Sequence, residues 1–600
     1  MNRMPVALAV SIGGLCCAVA GCSTRTDVSV TGNTPAQYSH VWITAQEVWF
    51  NTSAVAGPDD GGWVKFPLST PATVDLVTES GGNLGSLVTG LKLAPGSYSQ
   101  VRLIPVDAAA ALTSSAHTAG AVYNAEADYV DSASMTHQLP LELLNPDKGI
   151  GIQGTLKVPV GNVGAALAGT STTTTGTTLT ATTTNTTTPT TTPTTPTTTT
   201  TTTSFAITFD GARDLTPFTY AAAAATTPNG ILLSSHASAF DLSEVGGIQG
   251  QLTFTNLTGI SSTASLPAIE VSAQSLSADG TRHVVVNRTP VHADGSFLLY
   301  PLATSSSTPA DYDLVIHGPG IATIIIKTVQ VTLASRAITA TTATTTGTEA
   351  TANATTINPV SVGTLIPRAA TAYMANPGPA SGAALPAGAQ VAFYQTLGTA
   401  GEVPYVIEAS PIDPFNQVLA NPQALSRGTI DSGTYSSSGA SVTLVSAAPV
   451  EGAGRYLVAA SAPSFTDGTL TTTVSAPPVG TTTPVPVPVP ALTLAPGVTP
   501  GSISASVTQA TARKYDHGEL LVTHNGALVA TTPVDAALVP GAGATITVNG
   551  VPSGTSADLY YVAVRAWNSR DPPGTLQRQS YPTAIDLRGS ATGAVQVTIN

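Results

Sequence analysis

A tract of threonine limits how this chain of 600 residues can fold. Residues 170–203 are almost entirely Thr, with a few Pro, Ala and Asn. The tract has no large apolar side chains to bury, so burial cannot offset the entropy that ordering costs. We therefore predict an extended, disordered segment at 170–203, flanked by folded chain. Bacterial O-glycosylation of its hydroxyl groups is left open.

A second low-complexity stretch, at 481–490, reads TTTPVPVPVP. Alternating Pro favours the polyproline-II conformation and removes N–H groups, so we expect a stiff spacer without sheet pairing. A softer break, rich in Thr and Ala, lies at 339–353. These breaks predict a division of the chain into a signal peptide at 1–21, β-sandwich domains at 34–245, 246–335, 361–478 and 499–600, and linkers at 336–360 and 479–498.

Between the breaks, composition and alternation predict strands. Only 9% of the residues are charged, whereas Gly and Pro number 55 and 45. Glu, Lys, Leu and Arg, which long helices usually use, are scarce, while the abundant Thr and Val favour half-buried strands and Gly and Pro supply turns. We therefore predict an all-β protein of tandem β-sandwich domains, immunoglobulin-like or prealbumin-like, with disordered Thr-rich and Pro-rich segments.

One local pattern occurs four times: a small or polar turn, then Tyr, then an alternating apolar strand. The copies lie at 95–103, 311–316, 454–458 and 558–564. Their spacing, on the order of 100 to 200 residues, suits one late strand per sandwich. Four copies suggest four domains.

The N-terminus has the parts of a secretory signal. Arg3 is followed by an apolar stretch at 6–19 that is too short to span a bilayer as a helix. The stretch ends in VAGC at 19–22, which resembles the lipobox of bacterial lipoproteins. The resemblance implies cleavage before Cys22 and acylation of that residue, and two or more acyl chains anchor a protein firmly. An ordinary signal peptide, cut after AVA at 18–20, is the alternative.

The three cysteines, Cys16, Cys17 and Cys22, all lie in this segment. Cleavage removes two and acylation uses the third, so we expect no thiol for a disulfide, a metal site or a nucleophile. Ser23 follows the lipidation residue. By resemblance to lipoprotein sorting in Gram-negative bacteria, the lack of Asp there favours the outer membrane. We therefore expect a cell-envelope protein whose first partner is the lipid bilayer, through acylated Cys22.

Residues 34–250 carry motifs in a fixed order. They are two Trp in a strand at 41–50, GGW at 61–63, TVDL at 73–76, LKLAPGSYSQVRL at 91–103, HQL at 137–139, GIGI at 149–152 and FD at 209–210. The segment resembles a bacterial lipoprotein domain known as domain of unknown function 4382. That family often has Asp where this chain has Thr208. The Thr-rich tract falls inside the domain, so we expect an insertion in a hairpin loop.

The next stretch, 247–332, resembles the carboxypeptidase-regulatory or prealbumin-like sandwich. The matching sequences are GIQG at 247–250, ADGSF at 293–297 and YDLVI at 312–316. The resemblance implies a spacer, an adhesion module or a carbohydrate-binding accessory. Neither family supplies a catalytic residue.

The sequence has no recognised catalytic, phosphate-binding or metal-binding motif. Asp59 and Asp60, before two glycines, fit a calcium loop, but a tight turn is favoured. His517 and His524 could share a weak metal site across a hairpin, but an exposed hairpin is favoured. We therefore predict no metal, no cofactor and no enzyme activity, and a hydrolase with unrecognised acids stays a third class.

The four Trp residues bear on ligand binding. Trp42 and Trp49 are seven apart, so strict alternation points them to opposite faces, one in the core and one near an edge, unless a bulge intervenes. Core packing is therefore favoured over a platform for sugar stacking. Trp63 and Trp567 are the other two.

Charge also limits the partners. The net charge of −13 comes without a basic patch, which argues against nucleic acid. We predict a membrane-tethered exported lipoprotein with a structural, adhesive or binding role, in contact with a cell-surface polysaccharide or protein. The alternative is a carbohydrate-binding accessory lipoprotein. An exposed strip of Trp and Tyr would favour that alternative, and buried aromatics would count against it.

Overall fold

The computed structural model describes most of the chain after the signal segment. The described residues are 24–131, 134–159, 202–218, 228, 230–234, 236–254, 269–304, 308–318, 321–333, 355–362, 371–377, 388–399, 401–413, 418–419, 424–426, 429–436, 442–462, 465–466, 468, 470–475, 486–489, 492, 494–496, 499–509, 515–539, 543–556, 558–568 and 577–599. Nearly all of the Thr-rich tract, the break at 339–353 and Cys22 lie outside these residues.

The first unit is a single 12-stranded sheet that curls around one core. Its elements are β1 Thr24–Asn33, β2 Tyr38–Asn51, β3 Val64–Asp75, β4 Gly85–Leu93, β5 Gly96–Pro105, α1 Ser114–Ala119, β6 Ala125–Val130, β7 Thr136–Glu142, β8 Ile150–Val158, β9 Thr202–Asp210, α2 Gly211–Asp214, β10 Leu215–Phe218, β11 Gly230–Leu233 and β12 Ser238–Asp241. The order is β10-β11-β7-β6-β2-β5-β8-β12-β9-β1-β4, with β3 also paired to β2. Alternating apolar residues from these strands fill the first core, including Phe50, Phe205 and Phe209.

Two details of this unit differ from the sequence predictions. The predicted start at 34 is too late, because β1 pairs with both β4 and β9. The predicted hairpin loop around the Thr-rich tract is wrong, because β12 lies between β8 and β9 in the sheet. Local sequence shows where the chain leaves a strand, but it does not show which later strand fills the neighbouring position.

The second unit is a sandwich of two sheets around a second core. A 3-10 helix at Leu242–Glu244 leads into β13 Val245–Phe254, β14 Glu270–Leu276, β15 His283–Pro290, β16 Ser296–Ala303, β17 Ala310–His317, β18 Thr323–Val331 and β19 Thr355–Val362. One sheet has the order β16-β13-β19, and the other begins β15-β14-β17-β18. The Asp279-Gly280 turn closes the β14–β15 hairpin with Gly280 at φ +68°, a conformation that Gly adopts without strain. The Asp294-Gly295 turn instead carries the chain from one sheet to the other.

The third unit supplies strands to its own sheets and to the second unit. Its strands are β20 Thr371–Pro377, β21 Gln390–Gln395, β22 Tyr405–Asp413, β23 Val418–Leu419, β24 Ala424–Ser426, β25 Ile430–Thr434, β26 Val445–Ala447, β27 Arg455–Ser461, β28 Phe465–Thr466, β29 Thr471–Ser475, β30 Pro486–Val489 and β31 Ala495–Pro496. The main sheet has the order β23-β22-β21-β27-β29, a smaller one β24-β20-β30, and β28 pairs with β31. The β25–β26 pair extends the sheet of the second unit through β18.

Both predicted linkers contain paired strands in their described parts. Residues 355–360 belong to β19, which pairs with β13. In the Pro-rich segment, β30 pairs with β20, and Leu492 is buried in the third core. Residues i and i+2 of a strand point their N–H groups to the same edge of the strand. The N–H groups of Val487 and Val489 can therefore face β20, while the proline nitrogens, which have no hydrogen to donate, lie on the opposite edge. The prediction that this segment forbids sheet pairing is therefore wrong.

The fourth unit is again a sandwich of two sheets. Its elements are β32 Pro500–Gln509, β33 His517–His524, β34 Ala527–Pro533, a 3-10 helix Asp535–Leu538, β35 Ala544–Pro552, β36 Leu559–Trp567, β37 Gln577–Ser580, β38 Ile585–Asp586 and β39 Thr592–Ile599. The sheets have the orders β35-β32-β39 and β34-β33-β36-β37, with β38 paired to β36. Both contribute to the fourth core.

Each tyrosine of the recurring sequence pattern lies in a different core. They are Tyr98, Tyr312, Tyr456 and Tyr560 in the first, second, third and fourth cores. The hydroxyl groups of three of them donate to backbone carbonyls before their own strand: Ala94, Ala303 and Pro552. The prediction of an all-β protein is confirmed, with two-sheet sandwiches in the second and fourth units.

Candidate functional site: two charged junctions between units

The predicted lipidation residue lies just before the first strand. Cys22 is outside the described residues, and β1 begins two positions later. Thr24 is already buried, and its hydroxyl donates to the Pro159 carbonyl at 2.7 Å. Elsewhere, no helix of the described chain is long and apolar enough to cross a membrane.

A bulge in β2 places Trp42 and Trp49 on the same face of the sheet. The register with both neighbouring strands shifts between Ala45 and Glu47. Val41, Ile43 and Ala45 face the first core before the shift, and Val48 and Phe50 face it afterwards, which leaves both Trp residues on the outer face. The prediction of opposite faces, with one Trp in the core, is therefore wrong.

Neither of these tryptophans forms an open platform. Trp42 is 6% exposed, stacks on His40 and packs against α1, and Trp49 is 8% exposed under the ammonium group of Lys65. Trp63 and Trp567 are half-buried. Every Trp, Tyr and Phe side chain whose burial the structure describes is buried or half-buried. By the criterion set from the sequence, this counts against sugar stacking.

The acidic turn that fitted a calcium loop is engaged by cations of the protein itself. Asp59 accepts hydrogen bonds from Lys148 at 2.8 and 3.1 Å and from the Tyr561 hydroxyl at 2.9 Å. Asp60 accepts from Arg588 at 3.2 Å and from a backbone N–H of its own turn. Both carboxylates of this turn are therefore engaged by an ammonium or a guanidinium group of the protein, which favours the tight-turn interpretation.

The two histidines proposed for a metal site lie at opposite ends of β33. His524 lies seven positions after His517 along the extended strand, a separation of roughly 23 Å. His517 is 3.1 Å from Asp535, and the ring of His524 packs on Tyr560. In the part of the chain that the structure describes, no three His, Cys, Asp or Glu side chains are arranged to hold a metal ion.

The first and fourth units meet in what we term the C-terminal junction. Its apolar part consists of five buried side chains: Leu144, Phe218 and Leu232 from the first unit, and Leu521 and Leu528 from the fourth. Burial of one such side chain contributes about 1.5–3 kcal/mol. Asn145 adds a buried hydrogen bond to Thr523 at 2.7 Å. A linear array of sandwiches would keep these units apart, so the contact limits the reach of the chain.

Arg565 is the buried charge of this junction. Its side chain is 0% exposed; Nη1 donates to Glu142 of the first unit at 2.7 Å, and Nε donates to Glu519 of its own sheet at 2.9 Å. The guanidinium group lies 4.7 Å from the centroid of the Phe218 ring. Burial raises the pKa of Glu519, and Arg565 offsets part of that rise. The pairing matters because a buried Arg without a carboxylate is costly.

A second buried arginine extends the same junction. Arg102 is 1% exposed and donates to the Lys148 carbonyl at 2.8 Å and to the Asn525 side chain of the fourth unit at 3.0 Å. Burial lowers the pKa of Arg102 to about 10, which still leaves it protonated at neutral pH. Asn525 at φ +51° and Gly526 at φ +90° form the tight turn between β33 and β34 that brings the amide to Arg102.

A second charged contact, the central junction, joins three units. Arg288 of the second unit lies 3.2 Å from Asp210 of the first and 3.2 Å from Glu270 of its own unit. His317 lies between two carboxylates: Nε2 is 3.4 Å from Glu270, and Nδ1 is 3.3 Å from Glu408 of the third unit. The side chains of Arg288 and Glu408 are each 5% exposed.

At the central junction, the pKa values of Glu408, His317 and Glu270 are shifted from their ordinary values, and neighbouring charges of the junction contribute to each shift. Burial, together with Glu270, raises the pKa of Glu408 to about 7, although His317 and Arg288 act against that rise. Burial would lower the pKa of His317, but Glu408 and Glu270 outweigh it and raise the pKa. Burial would raise the pKa of Glu270, but Arg288 and His317 outweigh it and lower the pKa. The protonation of Glu408, whose pKa is raised to about 7, is therefore linked to the charges of His317 and Glu270.

Sequence reasoning missed both junctions, although a local signal was present. Arg102 lies in β5 and Arg565 in β36, two mainly apolar strands that carry a tyrosine of the recurring pattern. Both arginines are buried at the C-terminal junction. A cation in such a strand indicates a buried partner. Asp210, the residue retained from the family's Asp-Phe-Asp motif, belongs to the central junction. The partners across the C-terminal junction, Glu142 for Arg565 and Asn525 for Arg102, are each 423 residues away, where local pattern gives no signal.

Comparison with protein families identifies one region. Residues 23–217 match the model described as Domain of unknown function (DUF4382). The match confirms the resemblance proposed from the motifs, with an earlier start and an earlier end than 34–250. No curated protein matches the chain.

Solved structures align only weakly. The TIE protein of Bacillus anthracis is 7% identical, with 96% of this chain and 73% of that chain covered and a TM-score of 0.14. BcpA, the major pilin subunit of Bacillus cereus, is 13% identical over 60% of this chain and 99% of its own, with a TM-score of 0.12. The pilus adhesin SpaC of Lactobacillus rhamnosus GG is 9% identical over 61% and 44%, with a TM-score of 0.12. Similarity at this level does not bear on function.

Proposed function

We propose a function from the chain's own features, because the family whose model matches residues 23–217, domain of unknown function DUF4382, has no assigned activity. The protein is an exported bacterial lipoprotein, anchored through acylated Cys22, with a structural or adhesive role. Its units form one body held together by the two junctions. It contacts a cell-surface polysaccharide or another protein.

The observation that carries the anchor is the position of Cys22. It ends the VAGC sequence after an uncharged apolar stretch, and only Ser23 separates it from β1. A folded domain that starts two residues after a lipidated cysteine lies directly against the membrane. Ser23 rather than Asp at the next position supports the outer membrane of a Gram-negative envelope.

The non-catalytic role is supported by how the candidate groups are used. Asp59, Asp60 and His517 are each paired within the protein, and the acids of the two junctions pair with Arg288, Arg565 or His317. Groups engaged in this way position units rather than a substrate. The half-buried or buried tryptophans give no support to the carbohydrate-binding alternative.

Labelled-palmitate incorporation in a Gram-negative host tests the anchor. Wild type, Cys22→Ala and Cys17→Ala are compared, followed by separation of inner and outer membranes. Cys17→Ala is the matched control, because it removes a cysteine from the apolar segment without touching the acylation residue. We expect Cys22→Ala to lose both label and membrane association, while Cys17→Ala keeps both in the outer membrane fraction. If Cys22→Ala fractionates like wild type and neither takes label, the lipoprotein proposal is wrong.

A further inference from the structure

The end of the first sheet that lies nearest Cys22 includes the ends of four strands, of which β9 begins with Thr202 in register with Arg25 of β1. Thr24 begins β1 and lies opposite Leu93, the last residue of β4. Its hydroxyl bonds to the carbonyl of Pro159, the residue after β8. The beginning of β1 and the ends of β4 and β8 therefore meet at one edge of the unit.

Two cations lie directly opposite each other at this edge. Arg25 of β1 pairs in register with Lys92 of β4, and both are exposed. Thr24 and Leu93, their neighbours along the strands, are buried, so both cations lie on the outer face of the sheet. We term this pair the basic edge.

Like charges directly opposite across a sheet are destabilising. Among the described residues, no carboxylate lies within ion-pair distance of Arg25 or Lys92. Asp27, two residues along β1, accepts from the Gly90 N–H, and Lys157 of β8 pairs with Glu244. In a chain with 34 acidic and 21 basic residues, two such cations side by side indicate an anionic partner from outside the protein.

The short distance from these cations to the proposed anchor at Cys22 indicates that the partner is the membrane surface. Arg25 lies three positions after Cys22, a span of at most about 11 Å even for a fully extended chain. The Debye length in physiological salt is about 8 Å, so the basic edge is within reach of the charge on the headgroup layer. A cation near an anionic bilayer strengthens binding about fivefold.

We propose that Arg25 and Lys92 bind the phosphate groups of anionic phospholipids and so fix the orientation of the first sheet on the membrane. This inference depends on the proposed anchor at Cys22. Net charge alone would repel a chain of −13 from an anionic bilayer, so the local pair determines which edge faces the lipid.

The test uses the mature chain, residues 22–600, produced without its signal, in which Cys22 is the sole thiol. Its coupling to a maleimide lipid is followed in vesicles of phosphatidylcholine and of phosphatidylcholine with 30% phosphatidylglycerol. Arg25→Glu/Lys92→Glu is compared with Lys65→Glu/Arg455→Glu, which changes net charge equally at exposed cations of β3 and β27. Circular dichroism checks that both variants fold.

We expect the basic-edge variant to couple at least tenfold more slowly than the control variant on the anionic vesicles at low salt. The two should couple equally on neutral vesicles and at high salt. Equal rates on anionic vesicles at low salt would overturn the inference. Because the coupling is chemical, failure of acylation in a host would leave this result unchanged, so the two proposals fail separately.

Discussion

The C-terminal junction and the central junction both bury charge between units, but different groups carry the charge. Arg565 and Arg102 are permanent cations and pair with Glu142, Glu519 and an amide. The central junction contains Arg288 but also His317 and Glu408, whose pKa is about 7. The C-terminal junction also has an apolar part of its own. We infer that the stability contributed by the C-terminal junction is constant over physiological pH, whereas that of the central junction falls as pH rises.

Replacement of Arg565 by Ala should give the largest effect. The change leaves Glu142 and Glu519 close together without their cation, and breaking a buried pair in this way costs about 3–5 kcal/mol. Denaturant unfolding would measure the loss. Arg588→Ala is the matched control, because that guanidinium is 34% exposed on the rim of the same junction and exposed pairs contribute less than about 1 kcal/mol. Equal losses for the two variants would show that burial at Arg565 does not set the strength of the junction.

The pH dependence of stability separates the two junctions. The folded pKa of Glu408 is raised from 4.5 to about 7, so its contribution is full below pH 4.5 and is lost as pH rises through about 7. His317, also raised, loses its contribution above its unfolded pKa of 6.5. We expect the free energy of unfolding to fall between pH 5 and pH 8, by on the order of 2–3 kcal/mol from Glu408.

Two variants assign that slope. Glu408→Gln keeps the shape of the protonated acid and should remove the contribution of Glu408. Burial also raises the pKa of Glu126, in the first unit, to about 7, so its contribution to stability is likewise lost as pH rises. Glu126→Gln is therefore the matched control, because Glu126 lies within a single unit. If Glu408→Gln keeps the full slope while Glu126→Gln removes it, the pH dependence belongs to the first unit and the contrast between junctions is wrong.

The sequence predicts the strands of this protein better than their partners. Alternation in 41–50 gives β2 correctly, yet one extra residue near Gln46 reverses the face of Trp49, and no local signal marks that bulge. The alternating prolines of the PVPV segment suggest that it cannot join a sheet. It pairs with β20 because its two valines can present their N–H groups to the same edge. Asp59 and Asp60 form the turn that their sequence suggests, but Tyr561 and Arg588, their partners, lie about 500 residues further along the chain. Local sequence therefore predicts strands and turns. The junctions depend on contacts between residues that are far apart in the sequence, which local sequence does not reveal.

Asp59→Asn should give the smallest effect and sharpens the same comparison. The carboxylate of Asp59 bonds to Lys148 and to the Tyr561 hydroxyl across the C-terminal junction, but its side chain is 50% exposed. These hydrogen bonds, with Lys148, lower its pKa despite the partial burial that acts to raise it. Because solvent screens half-exposed pairs, we expect a loss of less than about 1 kcal/mol in denaturant unfolding, which high salt should reduce further. A loss as large as that of Arg565→Ala, or one that salt leaves unchanged, would mean that Asp59 acts as a buried charge and that the rim and the centre of this junction do not differ.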